Sequence, residues 1–184
     1  MADPGRLCVV SAAVLIERPG AEVASELSEF AVDAFVTTFG HIYAPQDLAA
    51  FLAEWNTPAL LHQQLADHAF AFALVRDEGR IAGFAKLGPI DFDLPQGHPL
   101  AGAIELHQLY LAETAKGTGI ADALMRWTIG EARARGNAIL YLSVFTENPR
   151  AQAFYRRYGF VDIGRNPFRV GNHIDEDRIW RLDL

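Results

Sequence analysis

Gly117 and Gly119 enclose a single residue, Thr118, directly ahead of a helical pattern that begins at Ile120. Glycine at both positions lets consecutive backbone N–H groups turn toward one anion with no side chain between them. The helix start adds unpaired donors and roughly half a positive charge, so the turn suits a phosphate. A glycine pair also serves a plain strand-to-helix turn, and the pair alone does not separate the two readings. Two nucleotide-binding patterns are excluded. A dinucleotide fingerprint needs glycine or alanine where Asp122 stands, and a phosphate loop needs lysine after its glycine, whereas Lys116 precedes Gly117.

A second stretch adds weight. Ala138 to Phe145 is almost wholly apolar, as a strand buried on both faces reads. Asn148 and Pro149 then supply a helix cap and a first helical residue. Ala151, Phe154, Tyr155 and Tyr158 follow at helical spacing, and Gly159 closes the helix, which carries a tyrosine inward.

With both stretches in view, the chain resembles the GNAT acyltransferase superfamily, which transfers an acyl group, usually acetyl, from coenzyme A to an amine. The resemblance is closest from about residue 80 to 184 and weaker in the first third. That family's diphosphate turn follows the pattern Gln/Arg-x-x-Gly-x-Gly/Ala, matched here by Thr114, Ala115, Lys116, Gly117, Thr118 and Gly119, with Thr114 replacing the usual side chain. The resemblance implies that Lys116, Gly117, Thr118, Gly119, Ile120 and Ala121 cradle the diphosphate of acetyl-CoA. It further implies that the backbone of Leu109, Tyr110 and Leu111 pairs with the pantetheine arm, that Asn148 contacts that arm, and that Tyr155 sits beside the sulfur. Phe168-Arg169-Val170-Gly171 with Asp177 and Ile179, Thr38-Phe39-Gly40 and Ile104-Glu105-Leu106 look like the bacterial spermidine/spermine N-acetyltransferase branch. His107 and Gln108 depart from that branch, which often has a second acidic residue and a basic one there.

Acetylating an amine requires removing a proton from an ammonium and returning one to the departing thiolate. Tyr155 is the candidate acid; its alternative is a core aromatic alongside Phe154 and Tyr158. Glu105 is the candidate base, directly or through water, or an anionic anchor for a charged acceptor; its alternative is a carboxylate in solvent or in a salt bridge. His107 shares the face of Glu105 by period two unless a bulge shifts the alternation. The loop holding His41, Ile42 and Tyr43 is a candidate acceptor site. His41, His62, His68, His98 and His173 show no ligand spacing on one helix face, so no metal is expected. The expected acceptor is a small-molecule amine, a polyamine first. A protein N-terminus or lysine, or a non-catalytic acyl-CoA-binding module, are the alternatives.

The elements that position these residues read as follows. A strand spans 7–17, helices span 22–39, 45–55 and 58–67, and a hairpin turns at Asp77-Glu78-Gly79. An irregular loop covers 89–102. The central strand follows at 103–112, a long helix at 120–135 with Asp122 and Arg126 paired, and strands at 160–168 and 178–184. The fold class expected is α/β (α+β): a mixed, mostly antiparallel sheet whose strands from 103 and 138 run parallel and splay, with flanking helices.

The 184 residues fit one domain, 1–184. The lone cysteine, Cys8, excludes an internal disulfide and a thiolate metal cluster. A net charge of −7 argues against nucleic acid, and no apolar run is long enough to span a membrane. A cytoplasmic location is expected, and the family resemblance admits a homodimer.

Overall fold

The computed structural model describes residues 14–184, so Cys8 and most of the 7–17 strand expectation lie outside the described residues. Within them, Glu17 makes one antiparallel bridge to Leu74. Strands β1 (Ala71–Asp77) and β2 (Arg80–Gly88) are joined through Glu78 and Gly79, whose φ values of 48° and 80° give the two-residue turn that suits strand twist. β3 (Ala103–Leu111) runs antiparallel to β2, and helix α4 (Ile120–Ala134) then leads to β4 (Ile139–Phe145). β6 (His173–Asp183) pairs antiparallel with β4 and carries β5 (Val161–Val170) on its outer side, giving the order β1-β2-β3-β4-β6-β5. This is the mixed sheet expected. Its one parallel pair, β3 with β4, holds only over Ala103–Ile139, Ile104–Leu140 and Glu105–Tyr141, after which the strands part.

Helices cover both faces. α1 (Ala24–Phe39), entered through a short 3-10 turn, and α3 (Pro58–Ala66) pack Leu27, Ala31 and Leu61 on Phe72, Leu74 and Phe84. α4 and α5 (Pro149–Arg157) cover the opposite face, where Leu124, Met125, Phe154 and Tyr155 meet Ala73, Leu106, Leu142 and Trp180. The alternation of strand side chains between these two layers follows from the pleat. α2 (Pro45–Glu54) lies against the hairpin of β5 and β6. Gly171 in that hairpin approaches Asp47 so closely that a Cβ would stand 2.6 Å from its Cα, and Asn172 N–H donates to Asp47 Oδ1 at 2.9 Å.

Three expectations are corrected. β6 begins at His173 rather than residue 178, and β5 reaches Val170. Aspartate is disfavoured in strands, which is why Asp175 and Asp177 read as loop; here they point into a cleft. Asp122 accepts from Tyr158 Oη at 2.6 Å and sits 3.8 Å from Arg157, because α5 packs beside α4; no pair with Arg126 forms among the described residues. The β2–β3 register shifts so that Lys86 opposes Gln108 while Leu87 opposes Leu106, leaving His107 as the extra residue of a bulge. Gln108 therefore joins Glu105 on one sheet face by alternation, and the bulged His107 stays beside Glu105, its Nδ1 3.4 Å away.

Candidate active site

A cavity of about 1030 Å³ runs through the gap where β3 and β4 part. One end is the glycine turn. Gly117 and Gly119 have φ values of 85° and 90°, which only glycine adopts readily, and no atom lies within 4 Å of where a Cβ would stand at either. Among the described residues the N–H groups of Gly117, Gly119, Ile120, Ala121 and Asp122 have no backbone acceptor; the α4 ladder starts with Ala123 N–H on Gly119 O at 3.0 Å. That row of free donors at a helix start fits a diphosphate. Thr118 turns its hydroxyl back to Ala115 O at 2.6 Å, and Ile120 buries its side chain in the core, so neither offers its side chain to the cavity. Lys116 lines the cavity and is ion-paired with Glu113.

Leu109, Tyr110 and Leu111 line the next stretch, where β3 has lost its partner β4 and keeps only β2. A strand with one open edge can accept an extended chain carrying amides, as a pantetheine arm does. Across the gap, Asn148 caps α5 by accepting from Ala151 N–H at 3.1 Å. About two turns on, Tyr155 reaches the same cavity between Phe154 and Phe160, and burial pushes its phenol up to about 12. The group thus stays protonated at neutral pH, as a proton donor must.

The model of the acetyltransferase (GNAT) family matches residues 29–160. The chain belongs to the GNAT acetyltransferase family. An uncharacterised N-acetyltransferase of Mycobacterium tuberculosis is 33% identical over 161 residues, covering 88% of this chain and 97% of that protein. The N-alpha-acetyltransferase RimI of the same organism is 29% identical over 115 residues, covering 61% of this chain and 67% of its own length. Among solved structures, the PaiA N-acetyltransferase of Thermoplasma acidophilum in complex with coenzyme A superposes with a TM-score of 0.74 at 19% identity, over 94% of this chain and all of that one. This GNAT protein is an acetyl-CoA-dependent N-acetyltransferase, and the free amides and open strand edge fit that donor.

Away from the glycine turn, the cavity of this N-acetyltransferase holds Glu105, which is 4% exposed and accepts from Asp91 N–H at 3.0 Å. Burial, with the Asp91 charge adding to it, pushes the Glu105 carboxyl up to about 9. His107 Nδ1 stands 3.4 Å from Glu105 and 3.3 Å from Asp91. Its Nε2 lies 2.9 Å from Pro89 O, which can only accept, so that nitrogen carries the proton. These three side chains offer donor atoms within 4.8 Å of one another, a grouping that histidine spacing on helices did not reveal.

Farther along the cleft, Tyr43 donates to Asp175 Oδ2 at 2.5 Å and Ser143 donates to Asp177 Oδ2 at 3.1 Å. Burial pushes Asp177 up to about 6 and lifts the Tyr43 phenol above its ordinary range. Phe35, Phe39 and Phe168 line the same space. His41 faces a separate recess of about 230 Å³ with Thr38, Ile42 and Asn148, apart from Glu105. Sequence reasoning missed Asp175, Lys86 and Asn56. For Asp175 a signal existed: Asp175, Asp177 and Ile179 recur at period two and are all buried.

Proposed function

We propose that this N-acetyltransferase modifies the primary amine of a small polycationic acceptor, a polyamine or a related amine, by direct attack in a ternary complex. One observation carries this reading. Asp175 and Asp177 are both buried in the cleft, yet among the described residues neither pairs with a lysine or arginine, and the one basic side chain beside Asp175 is His173. Burying carboxyl groups without a cation costs several kcal/mol, so a site that keeps two of them suits an ammonium ligand. Tyr43, Phe35 and Phe39 add aromatic faces that attract the same charge.

In this reading Glu105 takes a proton from the acceptor nitrogen, directly or through water. The freed amine attacks the thioester carbon, Tyr155 protonates the sulfur as the carbon–sulfur bond breaks, and the second proton shed by the new amide nitrogen restores the tyrosine through solvent. The Gly117 to Ala121 amides hold the diphosphate, and Asn148 and the edge of β3 hold the arm. Replacing Asp175 and Asp177 together with asparagine should raise KM for spermidine by at least tenfold and leave KM for acetyl-CoA within twofold. An unchanged spermidine KM would remove the polycation reading. The second reading, a protein N-terminus as acceptor, draws on the likeness to the N-alpha-acetyltransferase.

A further inference from the structure

One wall of the acceptor cavity carries polar groups that the chemistry above leaves unused. Lys86 on β2 is 6% exposed; its Nζ donates to Gln64 Oε1 at 3.0 Å and pairs with no carboxylate among the described residues. Opposite it in register, Gln108 is also 6% exposed, and its Oε1 accepts no hydrogen bond. Asn56, 1% exposed, lies between α2 and α3 with a φ of 50°, and neither its amide nitrogen nor its oxygen has a partner. Leu60 and Gln64, four residues apart, share one face of α3, and Asn56 stands just before that helix. Tyr110 and Gln108 of β3 and Lys86 of β2 form the row on the sheet, and all six residues line the cavity that also holds Glu105 and Tyr155.

Each buried polar atom left unpaired costs about 1–3 kcal/mol, so three of them along one wall of a cavity call for a ligand. The donors left over are the remaining N–H bonds of Lys86 Nζ and the Asn56 amide nitrogen, which suit a carbonyl oxygen. The acceptors left over are Gln108 Oε1 and Asn56 Oδ1, which suit an N–H. We propose that Lys86, Gln108 and Asn56 bind a carboxamide or peptide unit of the acceptor, next to the amine that Glu105 serves. This rests on the cationic-amine reading above and narrows it: the acceptor is a polycationic amine bearing an amide, rather than a bare hydrocarbon polyamine. Its ammonium reaches Asp175 and Asp177 while its amide meets the opposite wall.

Cadaverine and lysine amide test this, since they differ only by a carboxamide on one terminal carbon. The wild-type enzyme with acetyl-CoA should prefer lysine amide by at least tenfold in kcat/KM, mostly through KM. Asn56→Gly, which suits the positive φ, and Gln108→Met should each reduce that ratio below threefold, with thermal unfolding confirming that both variants fold. Equal kcat/KM for the two acceptors in the wild type, or a preference that survives both substitutions, would overturn the amide assignment while leaving the cationic-amine reading standing. Transfer to neither acceptor, with acetyl-CoA shown to bind, would overturn both.

Discussion

Glu105 and Tyr155, the proposed base and acid, are both buried, and burial raises both groups. Burial raises Glu105 from 4.5 to about 9, so the carboxylate, the form that accepts a proton, grows as pH rises toward 9. The account predicts a kcat/KM that climbs from pH 7 to 9, and a Glu105→Gln enzyme that is about 10²-fold slower and lacks that limb. A Gln variant with the wild-type profile would assign Glu105 an anchoring role only. Tyr155→Phe should lower kcat by at least tenfold while calorimetry gives acetyl-CoA affinity within twofold, because only the hydroxyl is lost. Asp177 shows what such a site costs the fold. Its folded value of about 6 lies above the ordinary 3.8, so stability present below pH 4 is lost as pH rises through 6. About two units correspond to about 3 kcal/mol. Asp177→Asn should therefore raise Tm by several degrees at pH 8 and scarcely at pH 4, as thermal unfolding at the two pH values would show.

At the scale of elements, the coenzyme half of the site was legible and the acceptor half was not. The glycine turn, the apolar β4 and the Asn148-Pro149 start of α5 are local signals: each fixes backbone geometry through its own residues, and each stands where the spacing placed it. The acceptor wall is assembled from β2, β3, β6 and the α2–α3 link, far apart in sequence. Its composition also worked against recognition. Asp175 and Asp177 go against strand preference, as residues at a ligand site often do, and Lys86 sits within the otherwise apolar run 81–88 of β2. The bulge at His107 rests on the β2–β3 register, a non-local property, so period-two counting from Glu105 reached His107, which does stand beside it, and missed Gln108. Gly119 provides a test at this scale. Its φ of 90° with open space around the missing Cβ means that Gly119→Ala adds strain without a clash. The variant should lose about 1–2 kcal/mol of stability and show a tenfold higher KM for acetyl-CoA, with a smaller change in kcat. Wild-type values for both would mean the turn does not need its left-handed geometry.

Across the whole molecule, the sheet is two antiparallel blocks joined at one short parallel seam, and the cavity opens where that seam ends. α4 and α5 line the cavity from one face, where the proposal puts the donor, while α1, α3 and the β5–β6 hairpin line it from the other, where the proposal puts the acceptor. In the proposed ternary complex, acetyl donor and amine meet through the split instead of competing for one surface, which is the geometry direct transfer needs. The strand order, the seam and the free amides at α4 all serve that single meeting point. The measurement that tests this most directly is thiol release from acetyl-CoA by the purified protein, with product mass determined, across spermidine, spermine, diamines, lysine amide, amino acids, aminoglycosides and short peptides, against a no-acceptor control. The account predicts release with polycationic amines, each product heavier by one acetyl group, and little with neutral amino acids. Release confined to neutral or anionic acceptors, or none above the control with any amine, would contradict it.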